Sequence, residues 1–424
     1  MNKTHDISYS SWLTIPSDSD FPIQNLPYGI IKSEKGTRTA SRIGDYAIDL
    51  LDLFEKGYFS NINGVSKELF ASDSLNNFIA KGKEFWSAFR WRLFELFEQS
   101  NSELRDNKIH RESCIIPLQN LTVLLPVKVG DYTDFYSSIE HATNVGTMFR
   151  DPKNALMPNW RHLPVGYHGR SSSIIVSGTP VHRPMGQLKP DDQENPIFSE
   201  SRLLDFELEM AFITGKENAL GDAVSVDEAD DYIFGLVLFN DLSARDIQRW
   251  EYVPLGPFLS KSFGSVVSPW IVTLEALEPF KTKGPNQEPE VLPYLKTQGD
   301  KNYDIQLDVY IQPEHKEAHK VCTSNFKYMY WNMNQQLAHQ TINGCNIKVG
   351  DMYGSGTISG PTPDSYGSLL ELSWKGTKPL KFEDGSIRRF LEDKDTVVFK
   401  GYAKKNGLRI GFGECATKIL PAKK

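Results

Sequence analysis

The sequence predicts a mainly β protein of the α+β type, with a small N-terminal part and a larger part built of short strands. Three observations carry this. From residue 121 onward, short β-branched and aromatic runs recur between Gly- and Pro-rich loops, and few long helical patterns intervene. One clearly amphipathic helix stands before that point. Between the two textures lies a polar, charged stretch, residues 100–112, which reads as a linker. The division is set at 118/119, giving parts 1–118 and 119–424.

Taken in order, residues 28–32 (YGIIK) and 42–50 (RIGDYAIDL) read as strands, the second divided by a Gly44-Asp45 turn. Phe85, Phe89, Leu93, Leu96 and Phe97 then recur at helical spacing, so 85–99 is expected to be a helix with one buried face. Beyond the linker, 121–125, 173–176, 204–213, 305–311 and 396–399 read as strands. No internal repeat or low-complexity tract interrupts them.

Composition excludes several classes. The 424 residues carry 47 Lys+Arg against 54 Asp+Glu, a net charge of −7 with no basic block, so nucleic acid is not expected as the main partner. With 39 % hydrophobic and 12 % aromatic residues the chain can bury a large core, which rules out global disorder. The longest apolar runs, such as 233–239, fall far short of the ~18–20 residues of a membrane helix, so no membrane partner is expected. Cys114, Cys322, Cys345 and Cys415 are widely spaced and form no C-x-x-C pair. That is neither a disulfide framework nor a zinc ribbon, and it fits a reducing, cytoplasmic setting. The opening residues, Met1-Asn2-Lys3-Thr4-His5-Asp6, begin no apolar segment, so no secretory signal is expected.

The chemistry concentrates in a few places. In 204–212 (LDFELEMAF) the alternation is strict: Phe206, Leu208, Met210 and Phe212 share one strand face, Asp205, Glu207 and Glu209 the other. Such a face is either solvated or holds a cation. Asp134 precedes His141 by seven residues; the first reads as a ligand or a cap, the second as a base or a core histidine. Asp241 closes an apolar strand, and the following SARD (243–246) is expected to open a helix as a capping box. Arg245, Gln248 and Tyr252 then share a face that either grips a carboxylate or faces solvent. Lys261 reads as an electrophile or a surface cation, and Glu371 as a lone acid in an apolar run that must be paired or functional. The Gly-rich 354–360 (GSGTISG) lacks a Walker ending, and no G-x-S-x-G elbow is present, which argues against a nucleotide loop and a serine hydrolase. His315 and His319 are expected on an exposed face. The acids Asp134, Glu207, Glu209 and Asp241, with only oxygen to offer, suit Ca²⁺ or Mg²⁺ better than zinc.

Long motifs in a fixed order complete the reading. DYTDFYSSIEHATNVGTMFR at 131–150, LPVGYHGRSSS from 163, DFELEM from 205, SARDIQRWEYVPLGPF from 243, GTISGP and LELSWKG near the end, and DSDFPIQNLPYG from 18 closely resemble the fumarylacetoacetase family. The resemblance implies an SH3-like N-terminal β-barrel, a β-roll catalytic domain and a homodimer. It places the metal ligands on Asp134, Glu207, Glu209 and Asp241, with Lys261 and Ser265 touching a magnesium position. It places the general base on His141 and its orienting acid on Glu371, with Lys261 and Arg245 as further catalytic groups. Substrate contacts fall on Tyr136, Arg150, Tyr167, Gln248, Tyr252 and Thr357. The implied activity is metal-dependent hydrolysis of a carbon–carbon bond in fumarylacetoacetate, a step of tyrosine breakdown. Alternatives are a related diketo-acid hydrolase, decarboxylase or isomerase, or a non-catalytic calcium-binding module. Two positions depart from the family pattern: Leu242, where Trp is common, and Ile139-Glu140, where Arg-Gln is expected.

Overall fold

The computed structural model describes residues 3–423, so Met1 and Asn2 of the opening hexapeptide lie outside the described residues. It is a strand-rich mixed α/β molecule organised around an eight-stranded sheet. Seven strands follow in spatial order: Gly166–His168, Tyr132–Phe135, Met352–Gly354, Leu208–Thr214, Ile233–Asp241, Ser265–Val267 and Ile174–Val176. Val272–Thr273 pairs with the Ile233–Asp241 strand beside them. Pairing is antiparallel except between Met352–Gly354 and Tyr132–Phe135, and between Ser265–Val267 and Ile174–Val176.

Both faces of this sheet are covered, and residue alternation shows by what. Leu208, Met210, Phe212, Leu236 and Leu238 pack with Leu307, Val309, Val397 and Phe399 of a five-stranded sheet. Ala211, Ile213, Val237 and Phe239 point the other way, into the core formed by the N-terminal part, with Phe89 and Leu93 of helix Lys83–Phe97. The expected helix is therefore real, and its apolar face is seated on the back of the catalytic sheet. Backbone bonds add to that junction: Tyr28 N–H donates to Ile271 O at 3.0 Å, and Ile271 N–H returns to Tyr28 O at 2.8 Å.

The N-terminal sheet departs from the SH3-like barrel. Its strands follow in the order Ile115–Pro117, Tyr46–Asp49, Gly36–Ile43, Tyr28–Ser33 and Thr122–Leu124, all antiparallel. The two outer strands do not pair with each other among the described residues, so the sheet stays open. Residues 100–112 are also not a plain linker. Short helices Ser102–Arg105 and Lys108–Cys114 occupy them, capped by the side chains of Asn101 and Asn107.

Three further local expectations are corrected. The 204–213 run is not one strand: Leu204–Asp205 and Leu208–Thr214 pair with different partners, and Glu207 bridges Ser368 between them. The 243–246 segment forms no capping box. Ser243 Oγ donates back to Asp241 O, while Asp246 accepts from Ser201 Oγ at 2.6 Å and Arg202 N–H at 2.7 Å. His315 is exposed as expected, but His319 lies on a strand with its ring stacked 4.5 Å from Phe382.

Candidate metal and hydrolytic centre

Four carboxylates converge at one end of the large sheet because three of its strands deliver them in register. Asp134 stands opposite Gly354, Glu209 opposite Phe239, and Asp241 opposite Ser265; Glu207 enters from the break just before its strand. One carboxylate oxygen from each of Asp134, Glu207, Glu209 and Asp241 lies within 4.8 Å of all the others, and all four residues are buried. The acidic face of 204–212 is thus an enclosed cage, not a solvated surface.

The strand between two of these acids carries no side chain where they meet. A Cβ on Gly354 would sit 2.7 Å from Asp134 Oδ1 and 2.9 Å from Glu209 Oε2. Gly356 N–H donates to Glu209 Oε2 at 3.0 Å, so the Gly-rich loop serves the cage rather than a phosphate. Asp134 Oδ1 and Glu209 Oε1 meet no hydrogen-bond donor among the described residues. Including Asp205, five buried carboxylates face two buried cations, Lys261 and Arg245. Oxygen donors, unpartnered lone pairs and excess negative charge together fit a hard divalent cation.

Charge sorts the acids into two kinds. Burial raises Asp134 well above the ordinary carboxylate range, helped by Asp241; burial raises Glu209 likewise, helped by Asp134. Burial also pushes Glu207 upward, but Lys261 and Arg245 outweigh it and hold the group below its usual range. Lys261 Nζ lies between Glu207 Oε2 and Asp241 Oδ2, the latter at 2.6 Å. Despite burial, Asp241 and Glu207 keep this ammonium above its ordinary value. Lys261 therefore stands as an ion-pair partner of two ligands, with no lone pair to offer a metal. Ser265 Oγ donates to Asp241 Oδ1 at 3.1 Å, and Tyr167 OH to Asp241 Oδ2 at 2.9 Å.

Beside the cage lies a hydrogen-bonded His–Glu pair. Ser138 caps helix Ile139–Phe149 by accepting the His141 N–H, which sets His141 in the first turn. His141 Nδ1 is 2.7 Å from Glu371 Oε2. Asn144, one turn on, donates to Glu371 Oε1 at 2.9 Å; Ser359 Oγ and Ser368 Oγ also donate to this carboxylate, each at 2.9 Å to Oε2. These donors and His141 overcome the effect of burial, so Glu371 is held below its ordinary value. The Tyr136 ring meets His141 edge-on at 5.2 Å. Burial raises the Tyr136 phenol, and Glu371, Glu207, Arg150 and Arg245 all act on it, which places it between the pair and the cage.

The other expected contacts spread outward. Arg245 is buried against Asp205 and Glu207, and its Nη1 donates to Gln248 Oε1 at 3.2 Å. Thr357 is buried, Arg150 is exposed with Nη2 donating to Ala155 O at 2.6 Å, and Tyr252 is 51 % exposed at the rim. Leu242 is fully buried in the main core, and Glu140 is half-buried with its carboxyl raised by burial. Sequence reasoning missed Asn144, Ser359 and Ser368. A signal existed for two of them: Asn144 is at i+3 from His141, and Ser368-x-x-Glu371 has the spacing of a capping box.

Comparison with known proteins agrees with this geometry. The fumarylacetoacetate (FAA) hydrolase C-terminal family model matches residues 132–420, and the fumarylacetoacetase N-terminal model residues 24–126. Fumarylacetoacetase of Dictyostelium discoideum is 54 % identical over 421 residues, covering 98 % of each chain. That of Homo sapiens is 51 % identical over 415 residues, covering 97 % of this chain and 99 % of the other. That of Arabidopsis thaliana is 50 % identical over 415 residues, covering 97 % and 98 %. Among solved structures, a fumarylacetoacetate hydrolase from Exiguobacterium antarcticum aligns with TM-score 0.51 at 16 % identity, covering 94 % of this chain and 100 % of that one. A putative HpcE protein from Mycobacterium smegmatis aligns with TM-score 0.52 at 17 % identity, covering 93 % and 99 %, and both likenesses concern the fold alone. Family matches over both parts of the sequence and near-full-length relatives at half identity lead to one conclusion: the chain belongs to the fumarylacetoacetase family.

Proposed function

We propose that the protein hydrolyses a carbon–carbon bond of 4-fumarylacetoacetate, releasing fumarate and acetoacetate. The observation that carries this is the buried His141–Glu371 pair set beside a four-carboxylate cage, in a chain related to fumarylacetoacetases along nearly its whole length. A bound Ca²⁺ or Mg²⁺, held by Asp134, Glu207, Glu209 and Asp241, supplies the positive charge that polarises the diketone oxygens.

The protein's own groups do the rest. Glu371, accepting from His141 Nδ1, fixes the tautomer that leaves Nε2 free to take a proton from water. The hydroxide so formed adds to the carbonyl carbon next to the bond that breaks. The electron pair of that bond leaves with the acetoacetate carbon, and the proton held by His141 balances it. Lys261 and Arg245 are fixed cations beside the cage and offset negative charge as it develops. Tyr136, Arg150, Gln248, Tyr252 and Thr357 position the substrate. Tyr167 already donates to Asp241, so its first task is to orient that ligand.

The working unit is a homodimer. Support comes from segment 250–259, where Trp250, Tyr252, Val253, Leu255, Phe258 and Leu259 are exposed, Leu255 at 97 %. Light scattering should return twice the 48.1 kDa chain mass, and Leu255→Glu should return the chain mass.

The decisive assay offers purified, metal-supplied protein fumarylacetoacetate beside a panel of acylpyruvates and other diketo acids. Fumarylacetoacetate should be the preferred substrate, by kcat/KM. Preference for another diketo acid replaces the substrate; no turnover of any, with metal bound, overturns the hydrolytic reading.

A further inference from the structure

We propose that Asp205 is a positioning residue that ties the His141–Glu371 pair and Arg245 into one rigid frame. The proposal concerns how this site is held, and its catalytic consequence rests on the hydrolytic reading above. Asp205 is fully buried, two residues before Glu207, on the short strand Leu204–Asp205. Its carboxylate is used on both sides. Oδ1 accepts the Leu369 N–H at 2.7 Å, and Oδ2 accepts the Leu370 N–H at 3.1 Å. Oδ2 also accepts from Arg245 Nε at 2.8 Å, with Arg245 Nη2 at the same distance.

Leu369 and Leu370 open helix Leu369–Leu372, whose third residue is Glu371. A helix this short has no internal partner for its first N–H groups, so their direction must be set from outside. Ser368 Oγ accepts the Glu371 N–H at 3.3 Å, and Asp205 takes the two before it. The backbone carrying the orienting carboxylate is therefore fixed by a side chain from another segment. The same carboxylate fixes Arg245, whose Nη2 reaches Glu207 Oε1 at 2.7 Å. Asp205 thus links the helix bearing Glu371 to a cation that touches the cage.

An Asn at 205 keeps one acceptor oxygen, but its NH₂ must face either a backbone N–H or the guanidinium, donor against donor. Asp205→Asn should lower kcat by roughly 10- to 100-fold, the usual range for a residue supporting a catalytic ligand. KM and affinity for Ca²⁺ should change by less than about 3-fold. In a Glu371→Gln background the same change should cost less than about 3-fold, because the helix no longer carries an orienting carboxylate. Amide exchange at Leu369 and Leu370 should quicken in Asp205→Asn, with the melting temperature near wild type. Wild-type kcat in Asp205→Asn, strictly multiplicative losses in the double variant, or unchanged exchange at both amides would each overturn the frame. If Asp205→Asn does not fold, Arg245→Lys tests the same link. Lys cannot make the two-nitrogen contact, and its loss in kcat should shrink in the Glu371→Gln background; equal losses in both backgrounds overturn the proposal. Absence of fumarylacetoacetate turnover in the wild type sinks the hydrolytic reading instead and leaves the exchange measurement to judge the frame.

Discussion

His141 has one hydrogen-bond partner that makes it a base, and that partner is itself held by three donors. Glu371 accepts from Asn144, Ser359 and Ser368 besides His141, so its carboxylate cannot turn away when the ring becomes charged. His141→Ala should lower kcat by about 10²–10⁴-fold, the span for loss of a general base, while Ca²⁺ affinity and fold persist. Glu371→Gln should lose a comparable or smaller factor, because an amide holds the imidazole but does not stabilise its cation. The double variant should be little worse than His141→Ala; losses that multiply in full would break the pair apart. Glu371 also makes a prediction in pH. Its folded value lies below the ordinary 4.5, so its contribution to stability is present above that value. It disappears as pH falls through the folded value. Melting curves of Glu371→Gln should therefore show a shallower loss on acidification than wild type, and equal slopes would remove Glu371 from the acid response.

Elements bring these residues together through register, and Gly354 shows how tightly. It occupies the strand between Asp134 and Glu209, where any Cβ would press on both carboxylates. Gly354→Ala should weaken Ca²⁺ binding and lower kcat by at least 10-fold with only a modest fall in melting temperature. Wild-type affinity would mean that the cage yields easily. At this scale the sequence was readable where periodicity decides the outcome. The apolar rows of 28–32 and 85–97 and the alternation in 204–212 each identify a buried side. Alternation does not say what covers the opposite side, so the acidic row could not be told from a solvated one. The chain break at Phe206, which turns Glu207 into the cage, depends on Asp205 pairing with Ser243 and Glu207 with Ser368. Those are contacts at long sequence separation, and neither local propensity nor spacing encodes them. The same holds for Glu371: its apolar neighbours were legible, its four hydrogen-bond partners were not.

Across the whole molecule, the cage is a buried concentration of negative charge that the rest of the fold must hold closed. The N-terminal core covers the sheet face on which Glu209 and Asp241 lie, so the acids cannot relax toward solvent without disturbing that packing. Stability of the metal-free protein is consequently limited by the two acids that lack a cation. Burial raises Asp134 and Glu209, and their mutual repulsion adds to it, whereas Asp241 and Glu207 share Lys261. Chelation should lower the melting temperature, and Ca²⁺ at 100 times its Kd should restore about 2.7 kcal/mol. Neutralising different members of the cage should then have opposite effects. Glu209→Gln removes a charge that no cation balances and keeps an oxygen for the Gly356 N–H, so the chelated variant should melt higher than chelated wild type and gain little from Ca²⁺. Asp241→Asn removes a charge that Lys261, Tyr167 and Ser265 all use. It leaves two donors facing an amide, so it should melt lower with or without the ion. Differential scanning of the two variants, with chelator and with Ca²⁺, separates a repulsive pair from a paired one. A chelated Glu209→Gln that melts below wild type would show that hydrogen bonding, not repulsion, governs the empty cage.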